Sequence, residues 1–372
     1  MLFTRPARKI LLVLFVAILW LPLVVMLATP QQEYSDFENR RLAPAPVLDP
    51  GTPRKFALDF ESYFNDHFGF RQRLIHLFRL LEVRVFQVPQ AGTVLFGKDD
   101  WLFQAGQEQV DDIRNNWPFT DIELAQWADV LEAKHNALKK RGIEYLFVFA
   151  SNKHLVYPDK LPDSVNRVRD ESRADQLVDY LSRHTRVPIL DLRPALVDAR
   201  VSLRPYHKTD THWNAWGAYV GYRSIIERLQ RHFPELSPIE LGADDFAERT
   251  TPGWDLARAL SMEEELTEVE VYPDPWEPDC AEYEGLPPEP TRWDRNNKPF
   301  TTRCESGSRR LLMFRDSYAL ALMPYLSETF EYIHYYPATP VPLDGMLEVV
   351  REQKPDIVIE QRSTRWLRRP WG

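Results

Sequence analysis

Apolar and polar positions divide the chain into an apolar leader, a charged tether and a long stretch in which helical and strand periods alternate. Residues 10 to 28 are almost uninterruptedly apolar, and at ~1.5 Å per helical residue such a run just crosses the hydrocarbon core of a bilayer. Arg5, Arg8 and Lys9 precede it while Glu33, Asp36 and Glu38 follow it. That asymmetry predicts a cytoplasmic N-terminus, with everything after residue 30 outside. The competing reading is a cleaved signal peptide, whose apolar region is normally shorter and ends in a small-x-small site. Ala28-Thr29-Pro30 makes a poor one, and either reading exports the rest of the chain. Residues 31 to 55, including Glu38-Asn39-Arg40-Arg41-Leu42-Ala43-Pro44, have no period and read as a tether.

From residue 56 onward the pattern is that of one α/β domain, 56–372. Helical spacing runs from Phe56 to Phe86, with Phe56, Phe60, Phe64 and Phe68 four apart; this aromatic stripe predicts core packing rather than a ligand box. Asp66-His67 within it reads as structural. Val94 to Phe103 predicts a hairpin, and Ile122 to Arg141 an amphipathic helix. Ile143 to Ala150 has the continuous apolar character of a strand buried on both faces. Ser151-Asn152-Lys153-His154 leaves that strand at the edge where α/β sheets place ligands, although a loop pinned by Pro158 and Pro162 is the preferred reading. A helix from Asp170 to His184, a strand at 187–190 and a helix from Ala215 to Phe233 follow. Residues 234–309, rich in Pro, Glu and Trp, read as an irregular insertion. Regularity returns with strand 310–314, a helix from Ser317 to Phe330, strand 332–336, helix 343–353 and strand 356–360. Helices alternating with buried strands predict a mostly parallel sheet covered on both sides, a three-layer α/β domain.

The net charge of -9 argues against a nucleic-acid surface. Two cysteines, Cys280 and Cys304, are too few for a disulfide scaffold or a metal ribbon. They flank one stretch of the insertion, and both a disulfide and two unpaired thiols are open readings.

Candidate chemistry concentrates in two segments. Tyr206-His207-Lys208-Thr209-Asp210-Thr211-His212-Trp213-Asn214 puts a carboxylate two residues from an imidazole. Leu311-Leu312-Met313-Phe314-Arg315-Asp316-Ser317-Tyr318 ends an apolar strand in a serine where a helical pattern begins. One site can use all three groups: Ser317 as nucleophile, His212 as general base and Asp210 as the group that orients His212. Taken singly, Ser317 and Asp210 are also good helix caps and His212 an ordinary buried histidine. Metal ligation is disfavoured because Asp-x-His has no matching second cluster, and no cofactor is expected. Arg315, Tyr206 and Trp213 are further candidates for oxyanion or substrate contacts.

These motifs, together with Gly217, the Glu38 to Pro44 segment, Trp101-Leu102-Phe103 and Val156 to Pro162, resemble the SGNH-hydrolase-like domains of the alginate O-acetyltransferases AlgJ and AlgX. They also resemble the related proteins named for an Asp-His-His-Trp motif. Where SGNH hydrolases have Gly-Asp-Ser, this chain has Arg315-Asp316-Ser317. The resemblance implies an SGNH-like three-layer α/β/α sandwich held at the bacterial inner membrane, with its catalytic domain in the periplasm. It further implies acetyl transfer to an exopolysaccharide through an acyl-serine on Ser317, with a multispanning membrane acyltransferase as acyl donor. The same residues leave open a deacetylase or esterase, and a non-catalytic glycan-binding or assembly protein on the same scaffold.

Overall fold

In the strand β1 (Glu144–Ala150), Tyr145, Phe147 and Phe149 enter one hydrophobic layer while Leu146, Val148 and Ala150 enter another. A strand with apolar residues on both pleat faces must be covered on both sides, and this one is. The computed structural model describes residues 5–35, 40–49, 51–86, 88, 90–287, 292–338 and 340–368. Positions 36–39 and 50 of the expected tether, Glu38 and Asn39 included, lie outside the described residues, as do insertion residues 288–291.

The other strands of the same sheet are β2 (Ile189–Asp191), β3 (Glu282–Glu284), β4 (Phe300–Arg303), β5 (Arg310–Phe314), β6 (Tyr332–Tyr336) and β7 (Ile357–Ser363). Their order is β3-β4-β6-β5-β7-β1-β2 in a 7-stranded sheet. From β6 to β2 neighbouring strands run parallel, and β4 and β3 add an antiparallel edge. β5 and β7 repeat the two-faced pattern: Leu311, Met313, Ile357 and Ile359 point to one layer, Leu312, Phe314 and Val358 to the other. Each such buried aliphatic or aromatic side chain contributes roughly 2 kcal/mol.

An N-terminal helix α1 (Arg5–Ala28) is followed by α2 (Pro53–His67) and α3 (Arg71–Leu80). Helices α4 (Asp121–Lys139), α5 (Arg173–His184), α6 (Arg193–Ala199), α7 (Ala215–Leu229), α8 (Met323–Thr329) and α9 (Leu343–Gln353) build the covering layers. Leu196 of α6, Ile225 and Ile226 of α7 and Leu326 of α8 join the first cluster; Leu131 of α4, Leu177 of α5 and Met346 of α9 join the second. The result is a three-layer α/β/α sandwich with a large mixed sheet.

Three expectations change. The helix expected over 56–86 breaks at Phe68-Gly69-Phe70, where a Cβ on Gly69 would come within 2.1 Å of the Pro22 carbonyl oxygen of α1. Only glycine lets the two backbones approach so closely. The phenylalanine stripe is not core: Phe56, Phe60 and Phe64 stack along α2 at 6.2 Å spacings and Phe60 is 46% exposed. The insertion 234–309 is more regular than its composition suggests. It supplies an antiparallel pair, Phe246–Thr251 with Glu268–Pro273, a short helix Asp255–Ala259 and the edge strands β3 and β4.

Lys9–Ala28 is a helix long and apolar enough to cross a membrane, and most of its side chains are exposed along its length. α3 and the turn after it add an exposed apolar stripe of Leu74, Leu77, Phe78 and Leu81, spaced three and four apart.

Candidate active site

β5 ends at Phe314, and the chain turns at once into a 3-10 segment, Ser317–Ala321, before α8. The continuous helix expected from Ser317 is broken because Pro324, in the first turn of α8, lacks the N–H a continuing helix needs. Asp316, not Ser317, caps this segment, accepting the Tyr318 N–H at 2.9 Å. The same carboxylate accepts from the Gln361 side chain at 2.9 Å and from the Ser363 N–H at 2.7 Å. The corner carrying Ser317 is thereby tied to the C-terminal end of neighbouring β7, leaving the serine hydroxyl free of capping duty.

The segment 206–214 stands opposite. Asn214 caps α7 by accepting the Gly217 N–H at 3.0 Å, so Asp210 has no capping role there. Asp210 Oδ1 instead accepts from the His212 backbone N–H at 2.8 Å and lies 2.6 Å from His212 Nδ1. His212 Nε2 lies 2.8 Å from Ser317 Oγ. With the Nδ1 proton directed to the carboxylate, Nε2 is left as acceptor for the serine hydroxyl. Asp210 is buried and the His212 side chain is 16% exposed.

The loop is clamped from both sides. From beneath, Lys153 Nζ donates to the carbonyls of His207, Lys208 and Asp210 at 3.1, 2.9 and 2.7 Å, between the rings of Trp101 and Phe103. Burial pushes its ammonium down to about 7, with Asp210, Asp255 and Glu268 opposing the shift. From outside, Glu268 of the insertion accepts from the Thr209 N–H and hydroxyl at 2.7 and 2.8 Å. Asp255 accepts from the Thr211 N–H and hydroxyl, both at 2.8 Å, and its Oδ2 lies 3.8 Å from His212 Nδ1. Ligand atoms of Asp210, His212 and Asp255 all lie within 4.8 Å of one another, a spacing that could hold a metal ion. In the arrangement present, His212 Nδ1 lies 2.6 Å from Asp210 Oδ1 and 3.8 Å from Asp255 Oδ2.

Of the other sequence candidates, only Trp213 borders the cleft that Ser317 and His212 line. Tyr206 is fully buried, its hydroxyl donating to the Ser151 carbonyl at 2.5 Å. Trp213 packs edge-on against Tyr318 and donates to its carbonyl at 3.0 Å, presenting little surface to the cleft. The Arg315 side chain turns away from Ser317: it is buried over the Phe300 ring and donates to the Arg295 carbonyl, and burial lowers its pKa to about 10. Cys280 and Cys304 are joined in a disulfide that, within the insertion, ties the segment before β3 to the end of β4. Asp255, Glu268 and Gln361 were not legible as site residues. Lys153 carried a signal in its place just past the C-terminal end of a buried strand, although a plain loop was the preferred reading there.

Ser317 and His212 open into a cleft of about 590 Å³ that Trp254, Tyr272 and Trp276 of the insertion also line. Residues 94–284 match the family described as ALGX, the SGNH hydrolase-like domain of acetyltransferase AlgX. The chain belongs to this family. It is 24% identical over 233 residues to the probable alginate O-acetylase AlgJ of Pseudomonas syringae pv. tomato, covering 62% of this chain and 54% of that one. It is 28% identical over 138 residues to the alginate biosynthesis protein AlgX of Azotobacter vinelandii, covering 36% of this chain and 26% of the relative. The chain thus spans about half the length of the AlgJ relative, and less of AlgX. Among solved structures, Bacillus cereus PatB1 superposes with TM-score 0.51 at 16% identity over 74% of this chain and 97% of its own. A DHHW family protein of Eubacterium siraeum gives 0.50 at 17% identity, over 74% and 92%. At such identities these likenesses bear on the fold alone, and they agree with the SGNH-like sandwich.

Proposed function

We propose that this chain is an O-acetyltransferase that moves acetyl groups onto a polysaccharide through an acyl-serine on Ser317. The observation that carries the reading is the hydrogen-bonded line Ser317–His212–Asp210, at 2.8 and 2.6 Å, at the mouth of an open cleft. Ser317 Oγ attacks the acetyl carbonyl as His212 Nε2 takes its proton, and Asp210 stabilises the imidazolium. The Ser317 N–H, at the first turn of the 3-10 segment, is the donor assigned to the oxyanion. Collapse expels the donor's leaving group, which takes the proton from His212. A sugar hydroxyl then enters, gives its proton to Nε2 and attacks the acyl-serine; the acetyl passes to the sugar and the proton returns to Ser317. Family membership and the relatives named as alginate O-acetylases support acetylation of a polysaccharide as the reaction class.

In this reading residues 1–30 anchor the protein and 31–55 tether an exported domain, 56–372. The exposed apolar surface of α1 and α3 supports that arrangement. A multispanning membrane acyltransferase on the same membrane supplies the acetyl group. The test is to trap the intermediate: mass spectrometry after brief exposure of the full chain to an activated acetyl ester should find acetyl on Ser317, accumulating in the absence of a sugar acceptor. An acetyl group found only on lysines would sink the mechanism.

A further inference from the structure

The walls of the cleft carry more information about the acceptor than the reacting groups do. Trp254 is stacked on His207 at 4.5 Å and 21°, with its indole N–H on Thr251 Oγ1 at 3.1 Å. Trp276 is stacked on Tyr325 at 5.0 Å and 21°. Both indoles are half-buried, held on one face by the protein with cleft-side surface remaining, and both line the cavity that contains Ser317 and His212. Aromatic faces already fixed by packing can take the apolar face of a sugar ring with little further loss of side-chain freedom.

The charges beside these rings are mostly negative. Asp210, Glu270 and Glu277 line the cleft, whereas Arg258 is its one lysine or arginine among the described lining residues. Glu270 is paired with Arg249 at 2.6 Å, and Glu277 stands exposed at the rim. The hydroxyls of an uncharged sugar can donate to such carboxylates. A polyuronate such as alginate would instead bring further carboxylates against them, with Arg258 and the Arg249 already committed to Glu270 and Tyr272 as the guanidinium groups to compensate.

We infer that the acceptor bound in this cleft is an uncharged glycan, its sugar rings stacked on Trp254 and Trp276, and not a polyuronate. The inference rests on the proposed acyl transfer to a glycan and narrows its substrate class. Binding and chemistry are separable, so their failures are too.

The experiment titrates the full chain in detergent, by calorimetry and tryptophan fluorescence, with neutral gluco- and manno-oligosaccharides, oligomannuronate and chitosan oligosaccharides of equal length. At low salt at least one neutral oligosaccharide binds roughly tenfold or more tightly than oligomannuronate, and added salt narrows the gap by screening the repulsion. Trp276→Ala and Trp254→Ala each weaken neutral binding about tenfold, with circular dichroism reporting that both variants are folded. Glu270→Gln with Glu277→Gln strengthens uronate binding and does not strengthen neutral binding, so the ratio of the two affinities shifts toward the uronate. Three results overturn the inference: oligomannuronate binding as tightly as any neutral oligosaccharide at low salt, chitosan binding tenfold tighter than all of them, or no neutral oligosaccharide binding at all. Labelling of Ser317 by a serine-reactive phosphonate reads the chemistry independently. A chain that labels but ignores neutral glycans loses only the acceptor assignment, and one that binds them without labelling loses only the acyl-serine.

Discussion

The ammonium of Lys153 donates to the carbonyl oxygen of Asp210 at 2.7 Å, and two more carbonyls of the same loop converge on it. The carboxylate that orients His212 is thus positioned through its own backbone by a lysine with no reach into the cleft. Lys153→Met keeps the bulk but strands three carbonyls, and we expect roughly 2–3 kcal/mol of lost stability with a fall in kcat/KM of about tenfold or more. Denaturant unfolding and ester hydrolysis check the two effects.

The same residue gives a pH dependence. Burial takes its pKa from 10.5 to about 7, so between those values the unfolded chain holds a proton that the folded chain lacks. Stability therefore rises with pH across that window as far as this group is concerned. Denaturation midpoints measured from pH 7 to 10 should climb more steeply for the wild type than for Lys153→Met.

Asp316 tests the corner that presents Ser317. Its carboxylate holds the Tyr318 and Ser363 N–H groups and the Gln361 amide. Asp316→Ala removes all three bonds at a part-buried site, and the expected cost is roughly 2–3 kcal/mol. Gln361→Leu removes one of these bonds and the acceptor of the Asp316 N–H at 3.2 Å but leaves the Tyr318 and Ser363 N–H groups held, so its activity loss should be smaller than that of Asp316→Ala in the same assay.

Asp255 separates triad chemistry from metal chemistry. If His212 Nδ1 directs its proton to Asp210 at 2.6 Å while Asp255 stands off at 3.8 Å, Asp255→Asn lowers kcat by only about three- to tenfold, while Asp210→Asn costs a factor of ~10³ or more. EDTA dialysis leaves ester hydrolysis unchanged on the same account, whereas loss of activity restored by a divalent cation would point to the cluster as a metal site.

The Cys280–Cys304 bridge closes a loop with a sequence separation of 24 and fastens the segment following Trp276 and Glu277 to β4. Its reduction should cost about 3 kcal/mol by the loop-entropy account. Thermal unfolding with and without reductant measures this, and tryptophan fluorescence should change first if Trp276 is the residue released.

Elements with unbroken apolar character were legible in the chain. β5 at 310–314, β6 at 332–336 and α9 at 343–353 have the expected bounds because both pleat faces, or one full helix stripe, are apolar. β7 was expected to stop at Glu360, yet it runs to Ser363 through Gln361 and Arg362, all fully buried. No hydrophobic pattern marks those residues, because partners distant in sequence or across the sheet accommodate them. Glu360 binds Lys134 at 2.7 Å, Tyr145 at 2.9 Å and Arg362 at 2.8 Å, while Gln361 and Ser363 hold Asp316. The phenylalanine stripe misled for the opposite reason, since helical spacing states which residues share a face but not what covers it. At the site, Asp210, His212 and Ser317 stood out as chemistry-bearing types at element ends. Asp255 and Glu268 did not, because they serve the loop from an insertion whose charge-rich composition hides its strands.

The most direct test of the central claim compares the full chain with Ser317→Ala, His212→Ala and Asp210→Ala in cleavage of a chromogenic acetyl ester, with circular dichroism as the control for folding. The account predicts hydrolysis by the wild type, loss of about 10³-fold or more in each variant, and phosphonate labelling that disappears with Ser317→Ala. A wild type that neither cleaves the ester nor takes the label, or a Ser317→Ala variant as active as the wild type, would contradict it.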